Sequence, residues 1–120
     1  MYAIAFDLDT NTLKDVYPND SYKNAYMDIR RVLVDEYGFA WQQGSVYFGG
    51  ESVDAVSCVL AAQDLTTRYD WFSASVRDIR MLRIEENNDL MPAVERASGT
   101  KKPLSLDASN PVAFRLSLAA

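Results

Sequence analysis

MYAIAFDLD, residues 1–9, decides the architecture. In an extended chain Tyr2, Ile4, Phe6 and Leu8 fall on one side and Ala3, Ala5, Asp7 and Asp9 on the other. Strict period two reads as a half-buried strand. The bulky side calls for a layer of helices. The small side ends in two carboxylates at i and i+2, which point the same way roughly 7 Å apart by strand rise.

Outward from this strand, residues 10–19 are polar and contain Pro18, which predicts a loop. Asp20 or Ser21 then caps a helix whose Tyr22, Tyr26, Ile29, Leu33 and Tyr37 recur at helical spacing, and Gly38 ends it. Residues 39–42 and 45–48 are rich in aromatic and β-branched side chains around Gly44-Ser45, a hairpin pattern. Ser52 is the expected cap of a second helix, with Val53, Val56, Leu60 and Ala61 as its apolar stripe running toward Leu65. That helix is expected to end near Tyr69, with Trp71 and Phe72 in a packed loop. Residues 76–85 read as a strand with polar groups on both faces, as at a sheet edge. Asn87 and Asn88 could cap a short helix through Val94 that carries Pro92 in its first turn. Residues 98–111 are loop-like, and Val112, Phe114, Leu116 and Leu118 alternate as in one further strand.

The order strand, helix, strand, strand, helix, strand is the βαββαβ pattern of the ferredoxin-like α+β fold, here followed by a C-terminal helix and a candidate extra strand. Both core helices then cover one sheet face. The other face, with Asp7 and Asp9, is left for a second copy or an added element. The expected division is a core over residues 1–96 and an extension over residues 97–120.

Composition narrows the chemistry. With 120 residues and 48% apolar content the chain suits one domain with a real core. No apolar run reaches the roughly 20 residues of a membrane span. The N-terminus lacks a basic start and carries two aspartates, unlike a signal peptide. The single cysteine, Cys58, reads as a core residue and excludes an internal disulfide, which suits the cytoplasm. Histidine is absent, which removes His-based acid–base pairs, Ser-His and Cys-His nucleophiles and His-ligated metals. Catalysis is left to carboxylates, hydroxyls, Arg, Lys or an oxygen-ligated metal. The net charge of −5 opposes non-specific nucleic-acid binding, so an RNA ligand would need a local basic patch or a metal.

Each candidate has an ordinary reading beside the functional one. Asp7 and Asp9 could hold magnesium or act as a base, yet strand-end acids are more often solvated. Gln42, Gln43, Gly44 and Ser45 make a polar hairpin in which Ser45 could meet a phosphate, although turn chemistry explains it equally. Arg77, Arg80 and Arg83 lie within seven residues and suit bidentate phosphate contact, while pairing with nearby acids is the plainer role. Tyrosines could stack on bases, whereas Tyr22 and Tyr26 fit the core.

Three stretches, MYAIAFDLD (1–9), WQQGSVYFG (41–49) and SVRDIRMLRIEENNDLM (75–91), resemble the virulence-associated protein D toxins, and NAYMDIRRVL (24–33) fits as well. The resemblance spans residues 1–96, and the segment from Lys101 to Ala120 matches nothing in the family's pattern. It implies a ferredoxin-like homodimer, related in fold to the small CRISPR spacer-acquisition nuclease subunit. It further implies an endoribonuclease that serves as the toxin opposite a cognate antitoxin protein. Carried over by position, Asp7, Ser45 and Asp78 are the expected catalytic residues, and Leu13 and Asp9 the supporting ones. Arg77, Arg80 and Gln43 are the expected RNA contacts. Asp7 would either bind magnesium or manganese or activate the 2′-hydroxyl or a water. The competing expectations are a non-catalytic module that docks an antitoxin or other protein, and a DNA-integration scaffold.

Overall fold

A computed structural model describes residues 1–99. The chain divides into two compact units, the first spanning Met1–Glu85 and the second beginning at Glu86. The first unit is a four-stranded antiparallel sheet of order β2-β3-β1-β4, formed by β1 (Tyr2–Leu8), β2 (Phe39–Gln43), β3 (Val46–Gly49) and β4 (Val76–Arg83). Helices α1 (Thr10–Val16) and α2 (Asn24–Arg31) connect β1 to β2, and α3 (Ala55–Arg68) and α4 (Asp70–Ser75) connect β3 to β4. This is the expected ferredoxin-like α+β topology, with β4 at one sheet edge and β2 at the other. In the second unit, α5 (Met91–Ser98) carries Pro92 in its first turn and ends at Gly99 in the left-handed region.

The alternation of β1 sets the layers. Ile4 lies opposite Tyr47 of β3 and Met81 of β4, and Phe6 opposite Ile79, so these side chains share a face. That face carries the core: Ile4, Phe6, Leu8 and Tyr47 from the sheet, Ile29 from α2, Cys58, Ala61 and Leu65 from α3, and Trp71 and Phe72 from α4. Phe6 stacks on Tyr47 with centroids 6.2 Å apart. The opposite face carries Ala3, Ala5, Asp7, Val46, Phe48, Asp78, Arg80 and Leu82.

Several local expectations change. Residues 10–16 form α1 instead of a loop. Its N-terminus is capped by the Asp9 side chain, which accepts from the Asn11 N–H at 3.1 Å and the Thr12 hydroxyl at 3.0 Å. Its one buried side chain is Leu13. The second helix begins later, at Asn24, and runs on through a π turn at Val32–Glu36 before Gly38, at φ 79°, ends it. Asp54, not Ser52, caps α3, accepting from the Ser57 N–H at 2.8 Å. Trp71 and Phe72 lie in the short helix α4, both buried. The candidate strand at 112–118 lies outside the described residues.

Candidate active site

The sheet register assembles one end of the open face. Asp7 of β1 is directly opposite Asp78 of β4. Asp7 is followed by a register shift: Leu8 pairs with Val76, so Arg77 is the extra residue of a β-bulge. Bulges redirect side chains, and here Arg77 meets Asp7, its Nε 3.3 Å from Oδ2. Arg80 reaches back along its own strand to Asp78, its Nε donating to the two carboxylate oxygens at 3.0 and 3.2 Å. Two opposed carboxylates, each carrying a guanidinium, thus share one patch. It is open to solvent: the Asp7 side chain is 62% exposed and that of Arg77 64%.

The β2–β3 hairpin reaches the same end. The Phe6 N–H donates to the Ser45 carbonyl at 3.1 Å, which ties half-buried Ser45 to the residue before Asp7. A second register shift lies in β2, where Trp41 pairs with Tyr47 but Gln43 pairs with Val46. Gln42 is the extra residue. The shift puts Gln43 on the face of Val46, Ala5 and Arg80, whereas Trp41 stays on the helix-facing side.

Asp9 and Leu13 belong to α1 and its cap. Asp9 does not share the sheet face with Asp7. It is the cap of α1, and its carboxyl is held below the usual aspartate range, first by the Thr12 hydroxyl and then by backbone N–H groups of the same turn. Leu13 is fully buried and anchors α1 in the core, where the helix packs on α4.

One residue of the neighbourhood is missed by sequence periodicity. Tyr26, assigned to the core by its helical spacing, packs only partly buried against it. Its phenol is pushed up by burial and secondarily by the charge of Asp7, so it lies within electrostatic reach of that carboxylate. The period of α2 identifies its inward residues but not the charges near them.

Chemically, the patch offers an accessible carboxylate for proton transfer and two exposed guanidiniums able to meet a phosphate. Among the described residues no cluster of three or more Asp, Glu, Cys or His is placed to hold a metal ion. The two opposed carboxylates are the donors nearest to such a set, and each already carries a guanidinium where a cation would sit.

No model of a known protein family matches the chain. Individual proteins do. Endoribonuclease VapD 2 of Riemerella anatipestifer is 57% identical over 94 residues, covering 78% of this chain and 99% of that protein. An endoribonuclease VapD homolog of Helicobacter pylori is 53% identical over 95 residues, 79% of this chain and 97% of the relative. Endoribonuclease VapD of Dichelobacter nodosus is 40% identical over 97 residues, 81% of this chain and the whole of that protein. With such identity extending over nearly the full length of each relative, the chain belongs to the VapD family.

Proposed function

We propose that this chain is an endoribonuclease that cleaves RNA by attack of the ribose 2′-hydroxyl, with Asp7 as the general base. The observation that carries it is the exposed Asp7–Arg77 pair beside Asp78–Arg80 on the open sheet face, in a chain whose relatives are named endoribonucleases.

Exposed ion pairs contribute only about 0–1 kcal/mol. An incoming phosphodiester can therefore draw Arg77 and Arg80 off their carboxylates. That exchange has two effects. The guanidiniums come to bear on the charge that grows on the phosphorane oxygens, and Asp7 is released to take the 2′-hydroxyl proton; as the P–O2′ bond forms the P–O5′ bond breaks, and the departing 5′-oxygen takes a proton from solvent water. Before substrate arrives, Asp78 holds the Arg80 guanidinium on the same patch as Asp7. Ser45 and Gln43 supply hydroxyl and amide donors at the rim.

The same face bears on quaternary structure. It carries Phe48 and Leu82, the latter 46% exposed, an apolar strip that a second copy would cover, leaving Asp7 at the rim of a groove between protomers. As the family resemblance implies, the cellular role is that of the toxin held in check by an antitoxin protein. Among the described residues no helix is long and apolar enough to cross a membrane.

The test is cleavage of a defined RNA by the purified chain in excess EDTA. The expected outcome is undiminished cleavage with 2′,3′-cyclic phosphate ends, lost in Asp7→Asn. Loss in EDTA with rescue by magnesium would assign Asp7 and Asp78 to a metal instead. In cells, induction should arrest growth, and the same substitution should abolish the arrest.

A further inference from the structure

Trp41 and Arg30 form a feature that this chemistry does not use. Trp41 sits on edge strand β2 with 43% of its surface exposed, unusual for the largest of side chains. It is nonetheless held in place. Its indole N–H donates to the Gly44 carbonyl at 3.0 Å, and the Arg30 guanidinium of α2 lies over the ring, 3.9 Å from its centroid.

Arg30 is also unusual. In this acidic protein Arg31, Arg68, Arg77, Arg80 and Arg83 all have a carboxylate within 4 Å, but Arg30 has none among the described residues. Its buried Nε has no hydrogen-bond partner. It also borders a groove on α2 with Met27, Arg31, Val34 and Asp35. Among the described residues its polar side-chain neighbour is the Tyr47 hydroxyl, which carries no charge, and a cation without a carboxylate beside a fixed, half-exposed indole is the pairing that single-stranded nucleic acids use: a base stacks on the ring and its phosphate meets the guanidinium.

We infer that Trp41 and Arg30 form a base-stacking subsite for single-stranded RNA, outside the catalytic patch. The inference rests on RNA being the substrate. The β2 bulge supplies the route. Gln43 faces the catalytic side and Trp41, two residues earlier, faces the other, so a strand leaving Asp7 turns over the β2 edge to reach the indole. Two strand spacings, about 10 Å, separate β2 from β1, which a single nucleotide or two can span. Since the indole N–H is already satisfied by Gly44, the ring reads no base edge. The subsite therefore adds affinity with little sequence preference, and Asp35 on the groove's wall limits the phosphates it tolerates.

The test uses the full chain and a 2′-O-methyl oligouridine 12-mer, which cannot be cleaved by 2′-hydroxyl attack. Wild type should bind it with quenching of tryptophan fluorescence. Trp41→Ala should lose the quench and weaken binding about tenfold, Trp41→Phe should retain most of the affinity, and Arg30→Gln should flatten the salt dependence. In cleavage of unmodified RNA, Trp41→Ala should raise KM and leave kcat unchanged. Binding that depends on Trp41 in a chain that cleaves no RNA would uphold the subsite while refuting the nuclease reading. Unchanged affinity and KM in a folded Trp41→Ala variant, no binding by wild type, or a change of oligomeric state as the variant's sole effect would each overturn the inference.

Discussion

Asp7 on β1 and Asp78 on β4 stand directly opposite one another across the sheet, each held by a different arginine. Like charges on directly opposed residues repel, so the pairing exists at a cost that Arg77 and Arg80 offset. The arrangement makes the two carboxylates unequal in consequence when either is changed.

Asp7→Asn should reduce RNA cleavage by about 100-fold or more, the usual worth of a general base. Asp78→Asn should reduce it less, because it repositions Arg80 without removing the base. Both side chains are exposed, so circular dichroism and the thermal midpoint should stay near wild type. Equal rates for Asp7→Asn and wild type would remove Asp7 from the mechanism.

Arg77→Ala and Arg80→Ala should weaken RNA binding across sequences alike. Each should lower the slope of log affinity against log salt by nearly one. A titration of binding at several salt concentrations measures this directly. An unchanged slope would mean that the guanidinium meets no phosphate.

Leu13→Ala should destabilise the fold by about 2–5 kcal/mol, the range for truncating a buried leucine. Leu13→Met should cost less than about 1.5 kcal/mol and keep activity. Urea unfolding followed by cleavage assays separates the two. If Leu13→Met folds normally yet is inactive, Leu13 does more than anchor α1 in the core.

Asp9 supplies a pH-dependent contribution. Its carboxyl titrates below the ordinary value of 3.8 because the charged form accepts the Thr12 hydroxyl and the first N–H groups of α1. A lowered folded value gives stability that is fully present above the unfolded value and lost as pH falls below 3.8 through the folded one. Asp9→Ser keeps a cap without that charge, so its thermal midpoint should decline less than that of wild type between pH 5 and 2. Parallel declines would show that the cap is not titrating.

Features written in local periodicity are legible in the residues alone. The alternation of β1, the turn at Gly44, the Gly38 helix stop and the edge character of β4 depend on neighbours a few residues away. Helix α1 is not legible in this way. TNTLKDV offers a single buried side chain, Leu13, and its helix is fixed by the Asp9 cap together with packing on α4. The same cap explains why Asp9 resembles a partner of Asp7 in the sequence: nothing in the spacing of the two aspartates marks the residue at which the strand ends.

By itself, then, the sequence determined the order and type of the main elements, the lack of histidine chemistry and the strand-end candidate Asp7, since these follow from residue identity and short-range pattern, while Ser45 and Asp78 entered as catalytic candidates through the resemblance to the VapD family. Tertiary structure alone decided that Asp7 faces Asp78, that Arg77 turns onto Asp7, and that Gln43 and Trp41 look to opposite sides. Each of these depends on inter-strand register, and one extra residue in a strand, at Arg77 or at Gln42, reverses which face a side chain takes.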